Sequence, residues 1–232
     1  MSEILIQTKK MTKYYPTGEG QFAALKDVTL DIREGEFAGI VGPSGSGKTT
    51  LLNIIGSLDS QSEGEVLVLG QEVSKLSAKE SARFRSNQIG FIFQTYNLLP
   101  VYTVYENVEL SLLLLKMNPE KRRQAVMDAL EWLGIADKMK SRPNQLSGGQ
   151  SQRVSIARAM VKKPKLVLAD EPTANLDTEN SMRILETMSR INQELGTTFI
   201  FSTHDEKVVK HLHRVITLID GKVAKDDNRT GV

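Results

Sequence analysis

Cysteine is absent from this sequence of 232 residues. Its absence excludes disulfides, thiolate metal sites and cysteine nucleophiles, and it fits a reducing compartment. An excess of either charge is also lacking, since 30 basic and 28 acidic side chains leave a net charge of +2. That balance gives no electrostatic reason to expect a nucleic-acid partner. The composition therefore indicates an ordinary globular chain, and the cytosol is its default location.

Long apolar runs are missing too. The most apolar stretch, about 108–115, is interrupted by Glu109 and Ser111, and it is far shorter than the roughly 20 residues that span a bilayer. The N-terminus has no basic region followed by a long apolar stretch and a small-residue cleavage site, so we expect no signal peptide. We therefore expect no direct membrane insertion.

Apolar runs that end near Gly or Asp predict strands, and helical spacing dominates between them. The predicted strands are 28–32, 37–41, 65–69, 89–93, 166–169, 197–202 and 214–219. The predicted helices are 49–55, 119–133, 150–161 and 178–195. The length fits one α/β domain over 1–232. A helical subdomain interrupts it at about 97–160, and the residues from Lys225 onward are predicted to form a polar tail.

A glycine-rich loop lies between the predicted strand 37–41 and the predicted helix 49–55. Residues 42–49, Gly-Pro-Ser-Gly-Ser-Gly-Lys-Thr, match the phosphate-binding pattern G-x-x-x-x-G-K-[ST]. Its glycines permit backbone conformations in which successive N–H groups point at phosphate oxygens, and the helix dipole adds to the attraction. Lys48 would neutralise β- and γ-phosphate charge, and the Thr49 hydroxyl would ligate Mg²⁺. The expected binding residues are Gly42, Ser44, Gly45, Ser46, Gly47, Lys48, Thr49 and Thr50.

Two adjacent carboxylates, Asp170 and Glu171, follow the predicted strand 166–169. Ligands of parallel sheets bind at the carboxyl edge of the strands, where both side chains are expected. Asp170 would hold Mg²⁺ through water, and Glu171 would polarise an attacking water as general base. Acidic residues also simply end strands, but the phosphate loop upstream favours the chemical interpretation.

Residues 146–150, Leu-Ser-Gly-Gly-Gln, precede and open the predicted helix 150–161. Ser147 is well placed as an N-cap, and Gly148 and Gly149 leave backbone amides exposed. A lone Ser-Gly-Gly is normally a turn, but the full pentapeptide is much more specific. It predicts a second helix N-terminus suited to phosphate.

These three motifs, in this order, resemble the nucleotide-binding domain of ABC (ATP-binding cassette) transporters over nearly the whole chain. The resemblance implies an α/β P-loop NTPase (RecA-like) core with a mostly parallel sheet, an N-terminal antiparallel β-subdomain and the inserted helical subdomain. It also implies an active ATPase that uses ATP and Mg²⁺ and forms a head-to-tail dimer with a second copy. Each ATP then lies between one phosphate loop and the partner's signature motif, which consists of Ser147, Gly148, Gly149 and Gln150.

The resemblance assigns further roles. Gln94 resembles the glutamine that contacts Mg²⁺ and links the site to the helical subdomain, and His204 resembles the switch histidine that bonds the γ-phosphate. The loop 174–177 looks like the segment that crosses to the partner. Tyr15 resembles the aromatic that stacks on adenine, although Tyr14 is adjacent and packing in a strand is an alternative. The expected catalytic residues are therefore Lys48, Glu171 and His204, and the expected metal ligands are Thr49, Gln94 and Asp170.

Other positions are less informative. His211 and His213 lack such context and are expected at the surface. Ser151 and Asn175 depart from the residues common in the family, but neither touches the expected hydrolysis chemistry.

Residues 94–108 are similar to the subfamily that energises bacterial lipoprotein release, macrolide efflux and related mechanotransmission systems. This similarity implies an integral-membrane partner subunit and a peripheral position on the cytoplasmic face of the inner membrane. Four side chains of this segment either face that partner or belong to the core of the helical subdomain; they are Tyr96, Leu98, Leu99 and Tyr102.

Two other functions are possible from the residues. A soluble, non-transport ABC ATPase of DNA repair or translation is disfavoured by length, because only about one helical subdomain fits between Thr50 and Leu146. A P-loop kinase or GTPase would leave residues 146–150 and His204 without roles.

Overall fold

The computed structural model describes residues 3–18 and 20–229, and the chain forms two compact units. The first unit contains the described residues up to 85 and from 198 onward, and the second contains residues 86–197. The single domain over 1–232 and the subdomain limits of 97 and 160 stay predictions. No helix in the described part of the chain is long and apolar enough to cross a bilayer.

The elements follow one another along the chain with short 3₁₀ turns between some of them. They are β1 (Ile4–Thr17), β2 (Gly20–Arg33), β3 (Phe37–Val41), α1 (Lys48–Ile55), β4 (Glu63–Val68), β5 (Gln71–Glu72), α2 (Ala78–Gln88), β6 (Ile89–Ile92), α3 (Val104–Leu114), α4 (Pro119–Trp132), α5 (Gly148–Met160), β7 (Leu166–Asp170), α6 (Thr178–Leu195), β8 (Thr198–Thr203), α7 (Glu206–Val209), β9 (Arg214–Ile219) and β10 (Lys222–Asn228).

An antiparallel sheet of order β2-β1-β4-β5 forms one layer of the first unit. β1 pairs with both β2 and β4, and its register shifts several times, for example between Thr8 and Met11. Such shifts interrupt the alternation of inward and outward side chains. This is why the period-two pattern failed to predict β1.

The second layer of the first unit has β3 at its centre. β3 pairs in parallel with β8 on one side and β9 on the other. Three buried aromatic rings join this layer, with Phe37 lying 4.7 Å from Phe201 and 5.6 Å from Phe199 between centroids. Because Val41 is level with Thr203, β3 and β8 end at the same edge.

The C-terminal residues differ from the prediction. Lys225 to Asn228 belong to β10, which pairs antiparallel with β9, so the predicted polar tail is wrong for these residues, while 230–232 lie outside the described part. Arg214 explains why so polar a segment is ordered. Its guanidinium donates to both carboxylate oxygens of Asp226 at 2.8 and 2.7 Å and to Glu36 at 2.9 Å.

The second unit combines a parallel strand pair with helices. β6 and β7 are parallel, with Ile92 level with Ala169, and α3, α4 and α5 pack on one another. α3 was not predicted as a helix, although Thr103 and Glu106 form a capping box at its start. The predicted α/β class, with an N-terminal antiparallel sheet and parallel pairing in the core, is confirmed.

Candidate functional site

The loop 42–47 joins the end of β3 to the start of α1, and two of its glycines have no possible substitute. Gly42 has φ +151°, and a Cβ there would lie 2.1 Å from the Leu218 carbonyl oxygen. Gly47 has φ +100°, and its Cβ would lie 2.6 Å from the Ala24 carbonyl oxygen. The left-handed backbone and the close carbonyls together require glycine. The loop is therefore held in one tight curve.

The polar groups of this loop suit an anion. Lys48 Nζ donates at 2.9 Å to the carbonyl oxygens of both Gly42 and Pro43, so the ammonium lies inside the curve. The Ser46 hydroxyl is buried and has no hydrogen-bond partner among the described residues, so a ligand oxygen could satisfy it. Gly47 is the N-cap of α1, which adds the helix dipole. These residues fit a phosphate group.

The remaining loop residues differ in exposure. Ser44, Gly45 and Thr49 are exposed, while Thr50 is half-buried. The candidate metal ligand Thr49 is thus accessible to solvent.

His204 follows β8 directly and is exposed. Since β3 and β8 are parallel neighbours that end together, His204 and the loop at Gly42 lie at the same edge of the first unit.

The other two histidines are half-buried, which corrects the expectation that they lie at the surface. The ring of His213 packs 5.8 Å from Phe37, and His211 Nδ1 lies 3.0 Å from the Lys207 carbonyl oxygen.

Tyr15 lies in β1 and is half-buried. Its hydroxyl donates to Asp59 Oδ2 at 2.8 Å. Burial, followed by this hydrogen bond, raises the Tyr15 pKa, whereas a hydrogen bond with the Thr50 side chain lowers it. Asp59 connects Tyr15 to α1, because the Asp59 backbone amide donates to the Asn53 carbonyl oxygen at 3.2 Å. The Tyr14 backbone amide donates to the Ser62 hydroxyl at 3.0 Å. The side-chain contact with Asp59 favours Tyr15 as the ring beside the loop.

In the second unit, two of the candidate metal ligands lie where parallel strands end. Asp170 is the last residue of β7, and Gln94 comes two residues after β6. Both therefore lie at the carboxyl edge of the strand pair. Glu171 is half-buried and has φ +47°, a left-handed conformation that is costly for a residue with a Cβ. Nothing in the sequence indicated this strain.

The signature residues open α5. The Ser147 hydroxyl accepts from the Gln150 amide at 3.3 Å, and the Gln150 side chain accepts from the Ser147 amide at 2.9 Å. The predicted N-cap is therefore confirmed, within a complete capping box. Gly149 is buried, and a Cβ there would lie 3.0 Å from Asn180 Oδ1, so the first turn of α5 lies tightly against α6.

Two hydrogen-bonded links within the second unit were missed by sequence reasoning. Asn175 Nδ2 donates to the Gln94 carbonyl oxygen at 2.8 Å, which ties the loop 174–177 to the residue expected to sense the metal. Arg158 of α5 donates to the carbonyl oxygens of Tyr96 and Asn97 at 2.6 and 2.5 Å. Tyr96 and Asn97 both have positive φ. Arg158 thus stabilises the turn at Tyr96 and Asn97, whose left-handed conformation was not predicted from the sequence.

The segment after Gln94 is only partly buried. Tyr96 and Leu98 are half-buried, whereas Leu99 and Tyr102 are 38% and 39% exposed. Val101, which the sequence did not single out, is 71% exposed. The more exposed members are the better candidates for contact with another protein.

The described part of the chain contains no group of three or more His, Asp or Glu side chains that could hold a metal ion. The candidate metal ligands include a single carboxylate, Asp170. They fit a cation that takes most of its oxygen ligands from a nucleotide and water, as Mg²⁺ does.

Comparisons with known proteins agree with this arrangement. A family model described as "ABC transporter" matches residues 25–174. An uncharacterized ABC transporter ATP-binding protein of Methanocaldococcus jannaschii is 43% identical over 231 residues, covering 98% of both chains. The lipoprotein-releasing system ATP-binding protein LolD of Pseudoalteromonas translucida is 43% identical over 223 residues, covering 96% of both.

Two further similarities concern a longer protein and a solved structure. The macrolide export ATP-binding/permease protein MacB 1/2 of Paracoccus denitrificans is 45% identical over 98% of this chain, but only 34% of that protein is matched. The dimeric, post-hydrolysis structure of the ATP-binding cassette MJ0796 bound to ADP and Pi has a TM-score of 0.90 and 42% identity, covering 98% of this chain and 100% of that one.

The fold and the phosphate loop define a nucleotide-binding ATPase cassette. More particularly, the chain belongs to the ABC transporter family. Within that family it is an ATP-binding, ATP-hydrolysing subunit.

Proposed function

We propose that two copies of this chain close head-to-tail on two ATP molecules and that this closure drives an integral-membrane partner. The observation that carries the proposal is that the chain has two separate helix N-termini whose residues suit a phosphate group. One is the loop 42–49 at the start of α1, and the other is the capped N-terminus of α5 at Ser147. The dimeric cassette MJ0796 supports the pairing by its likeness to this chain.

Each chain then supplies half of each site. The loop amides and Lys48 bind and orient the triphosphate, and Tyr15 stacks on adenine. Glu171 accepts a proton from the attacking water, while His204 bonds the γ-phosphate and positions that water. The signature residues of the second copy bind the phosphates from the opposite side.

Mg²⁺ bound with the nucleotide neutralises phosphate charge. The residues of this chain that would hold it are Thr49, Gln94 and Asp170. Thr49 and Gln94 are exposed, and Asp170 is half-buried at a strand end.

The membrane partner is inferred from the relatives named for lipoprotein release and macrolide export. Because ATP is available in the cytoplasm, we propose that the chain lies at the cytoplasmic face of the inner membrane. The exposed residues Leu99, Val101 and Tyr102 are the proposed contact with the partner.

The hydrolytic roles can be tested with two variants. Lys48→Ala should abolish nucleotide binding, because the charge inside the loop is lost. Glu171→Gln should bind ATP normally and lose at least about a hundredfold in turnover. Glu186→Gln, an exposed position on α6, is the matched control and should hydrolyse ATP normally. Unchanged turnover in Glu171→Gln would remove that residue from the proposed mechanism.

The partner can be tested by purification from detergent-solubilised native membranes. We expect an integral-membrane protein to copurify with the tagged chain, and Leu99→Asp combined with Val101→Asp to lose it while still binding ATP. Recovery of the chain without any membrane protein would instead favour a soluble, non-transport ABC ATPase.

A further inference from the structure

We propose that Asp59 and Lys13 are positioning residues that hold the Tyr15 ring in place as the platform for adenine. The inference rests on the proposed role of Tyr15 and deepens it. It assigns function to two residues that no sequence motif singled out.

The Asp59 carboxylate joins both other side chains. Its Oδ2 accepts from the Tyr15 hydroxyl at 2.8 Å, and its Oδ1 accepts from Lys13 Nζ at 2.6 Å. The backbone amide of Ser60 also donates to Oδ1, at 2.7 Å. Each carboxylate oxygen is therefore engaged, and the hydroxyl end of the tyrosine has a fixed anchor.

Lys13 holds the same cluster from a second direction. It is 9% exposed, and its ammonium also donates to the Ser60 carbonyl oxygen at 2.7 Å. The same nitrogen lies 4.9 Å from the centroid of the Tyr15 ring, within the range of a cation–π contact. A buried lysine with these partners has little freedom, so the ammonium restrains one face of the ring.

The negative charge of the Asp59 carboxylate is stabilised by the hydrogen bonds that it accepts. Burial alone would raise the Asp59 pKa, but hydrogen bonds from Lys13, Tyr15 and the Ser60 amide outweigh it and hold the pKa below its ordinary value. Asp59 is therefore ionised at neutral pH, and Lys13 has a permanent counter-ion beside the ring.

The cluster also connects the ring to the phosphate loop. Asp59 comes shortly after α1 ends at Ile55, and its backbone amide donates to the carbonyl oxygen of Asn53 in α1 at 3.2 Å. The ring is thus fixed relative to the helix whose N-terminus would bind the phosphates. With Lys13 at one face, a base stacks on the other face. A ring held in this way contributes to base binding without losing side-chain freedom when the nucleotide arrives.

The test separates binding of the base from binding of the phosphates. We expect Asp59→Ala and Lys13→Met each to weaken MgADP affinity about three- to tenfold, measured by calorimetry, because the platform loses its fixed orientation. Affinity for magnesium pyrophosphate, measured by displacement of ADP, should change less than about twofold. In a Tyr15→Leu background, Asp59→Ala should cause no further loss for ADP, since it acts through the ring. Glu65→Ala, which removes the exposed ion pair with Lys9, is the matched control and should leave both affinities unchanged.

Three outcomes would overturn the inference. Equal losses for ADP and pyrophosphate would mean that Asp59 merely supports the fold, as would a loss that persists in the Tyr15→Leu background. Normal ADP binding by both Asp59→Ala and Lys13→Met, with weakened binding by Tyr15→Leu, would contradict the positioning role of Asp59 and Lys13. The role of Tyr15 as the adenine platform would stand. Normal ADP binding by Tyr15→Leu would contradict the adenine platform itself. If Asp59→Ala proves unstable, Lys13→Met decides the matter, because methionine keeps most of the buried stem.

Discussion

At the scale of single residues, the backbone at Gly47 limits what the phosphate loop tolerates. Gly47→Ala combines a left-handed φ of +100° with a Cβ at 2.6 Å from the Ala24 carbonyl oxygen. An L-residue in this region costs roughly 1–2 kcal/mol, and relief of the clash must move the loop. We therefore expect the free energy of unfolding to fall by more than about 2 kcal/mol and nucleotide binding to be lost, as measured by urea denaturation and calorimetry.

Gly35→Ala is the control that measures the cost of a positive φ without a steric clash. Gly35 has a similar φ of +82°, but a Cβ there would meet nothing within 4 Å. It should lose only about 1 kcal/mol and bind nucleotide normally. Equal effects of the two substitutions would show that the close carbonyl does not constrain the loop.

Lys162 in the second unit makes stability depend on pH. Burial lowers its pKa to about 8, although Nζ donates to the Ser86 carbonyl oxygen at 2.7 Å. In the unfolded chain the pKa returns to about 10.4. Between these values the unfolded state binds more protons, so deprotonation favours the folded state as pH rises.

The free energy of unfolding of the unsubstituted protein, relative to that of Lys162→Met, should therefore increase from pH 8 to pH 10. The slope should approach about 1.4 kcal/mol per pH unit at most. The exposed neighbour Lys163 provides the control, because Lys163→Met should leave the slope as it was. A flat difference between Lys162→Met and the unsubstituted protein would contradict the burial of this charge.

Residue-scale prediction from sequence succeeded where a motif itself determines geometry. Gly42 and Gly47 have the positive φ values that a phosphate loop needs, and Ser147 caps its helix as its residue type suggests. Glu171 did not follow this rule, since its φ of +47° is set by surrounding structure rather than by its own preference. The contacts of Asp59 with Lys13 and Tyr15, and those of Arg158, also had no signal in the sequence, because these partners lie far away along the chain.

At the scale of structural elements, Asn175 links the loop 174–177 to Gln94. The amide hydrogen bond to the Gln94 carbonyl oxygen is 2.8 Å long, and it joins the segment proposed to meet the partner copy with the proposed metal ligand. We expect Asn175→Ala to lower the ATPase kcat about two- to tenfold, in line with about 0.5–1.5 kcal/mol for one hydrogen bond. ATP affinity should stay within twofold, because Asn175 is not expected to touch the nucleotide.

Asn144→Ala is the matched control for that experiment, since Asn144 is exposed in the turn before α5. It should leave kcat unchanged. A weakened ATP affinity with normal kcat in Asn175→Ala would contradict a role in linking the two loops.

Element prediction depended on how regular each segment is. The buried strands β3 and β7 were predicted almost to the residue, because continuous apolar runs bounded by turns are unambiguous. β1 was missed because its register shifts break the pattern. β10 was missed because its stability comes from pairing with β9 and from the ion pairs of Arg214. Both depend on tertiary contacts, which no local pattern contains.

At the scale of the whole molecule, the proposed ATP site requires two copies of the chain. The phosphate loop belongs to the first unit and the signature to the second, and the proposed dimer joins the loop of one copy to the signature of the other. Ser147→Arg should then bind ATP normally in the isolated chain, yet fail to pair, because a bulky cation replaces the cap that would meet the partner's phosphates.

The most direct test is the mass of the Glu171→Gln protein in solution, measured by light scattering with and without MgATP. We expect the 25.8 kDa monomer mass to double on addition of ATP. We expect no doubling when Ser147→Arg or Lys48→Ala is combined with Glu171→Gln. A Glu171→Gln protein that binds ATP and remains monomeric, or one that still pairs when Ser147 is replaced, would contradict the composite site.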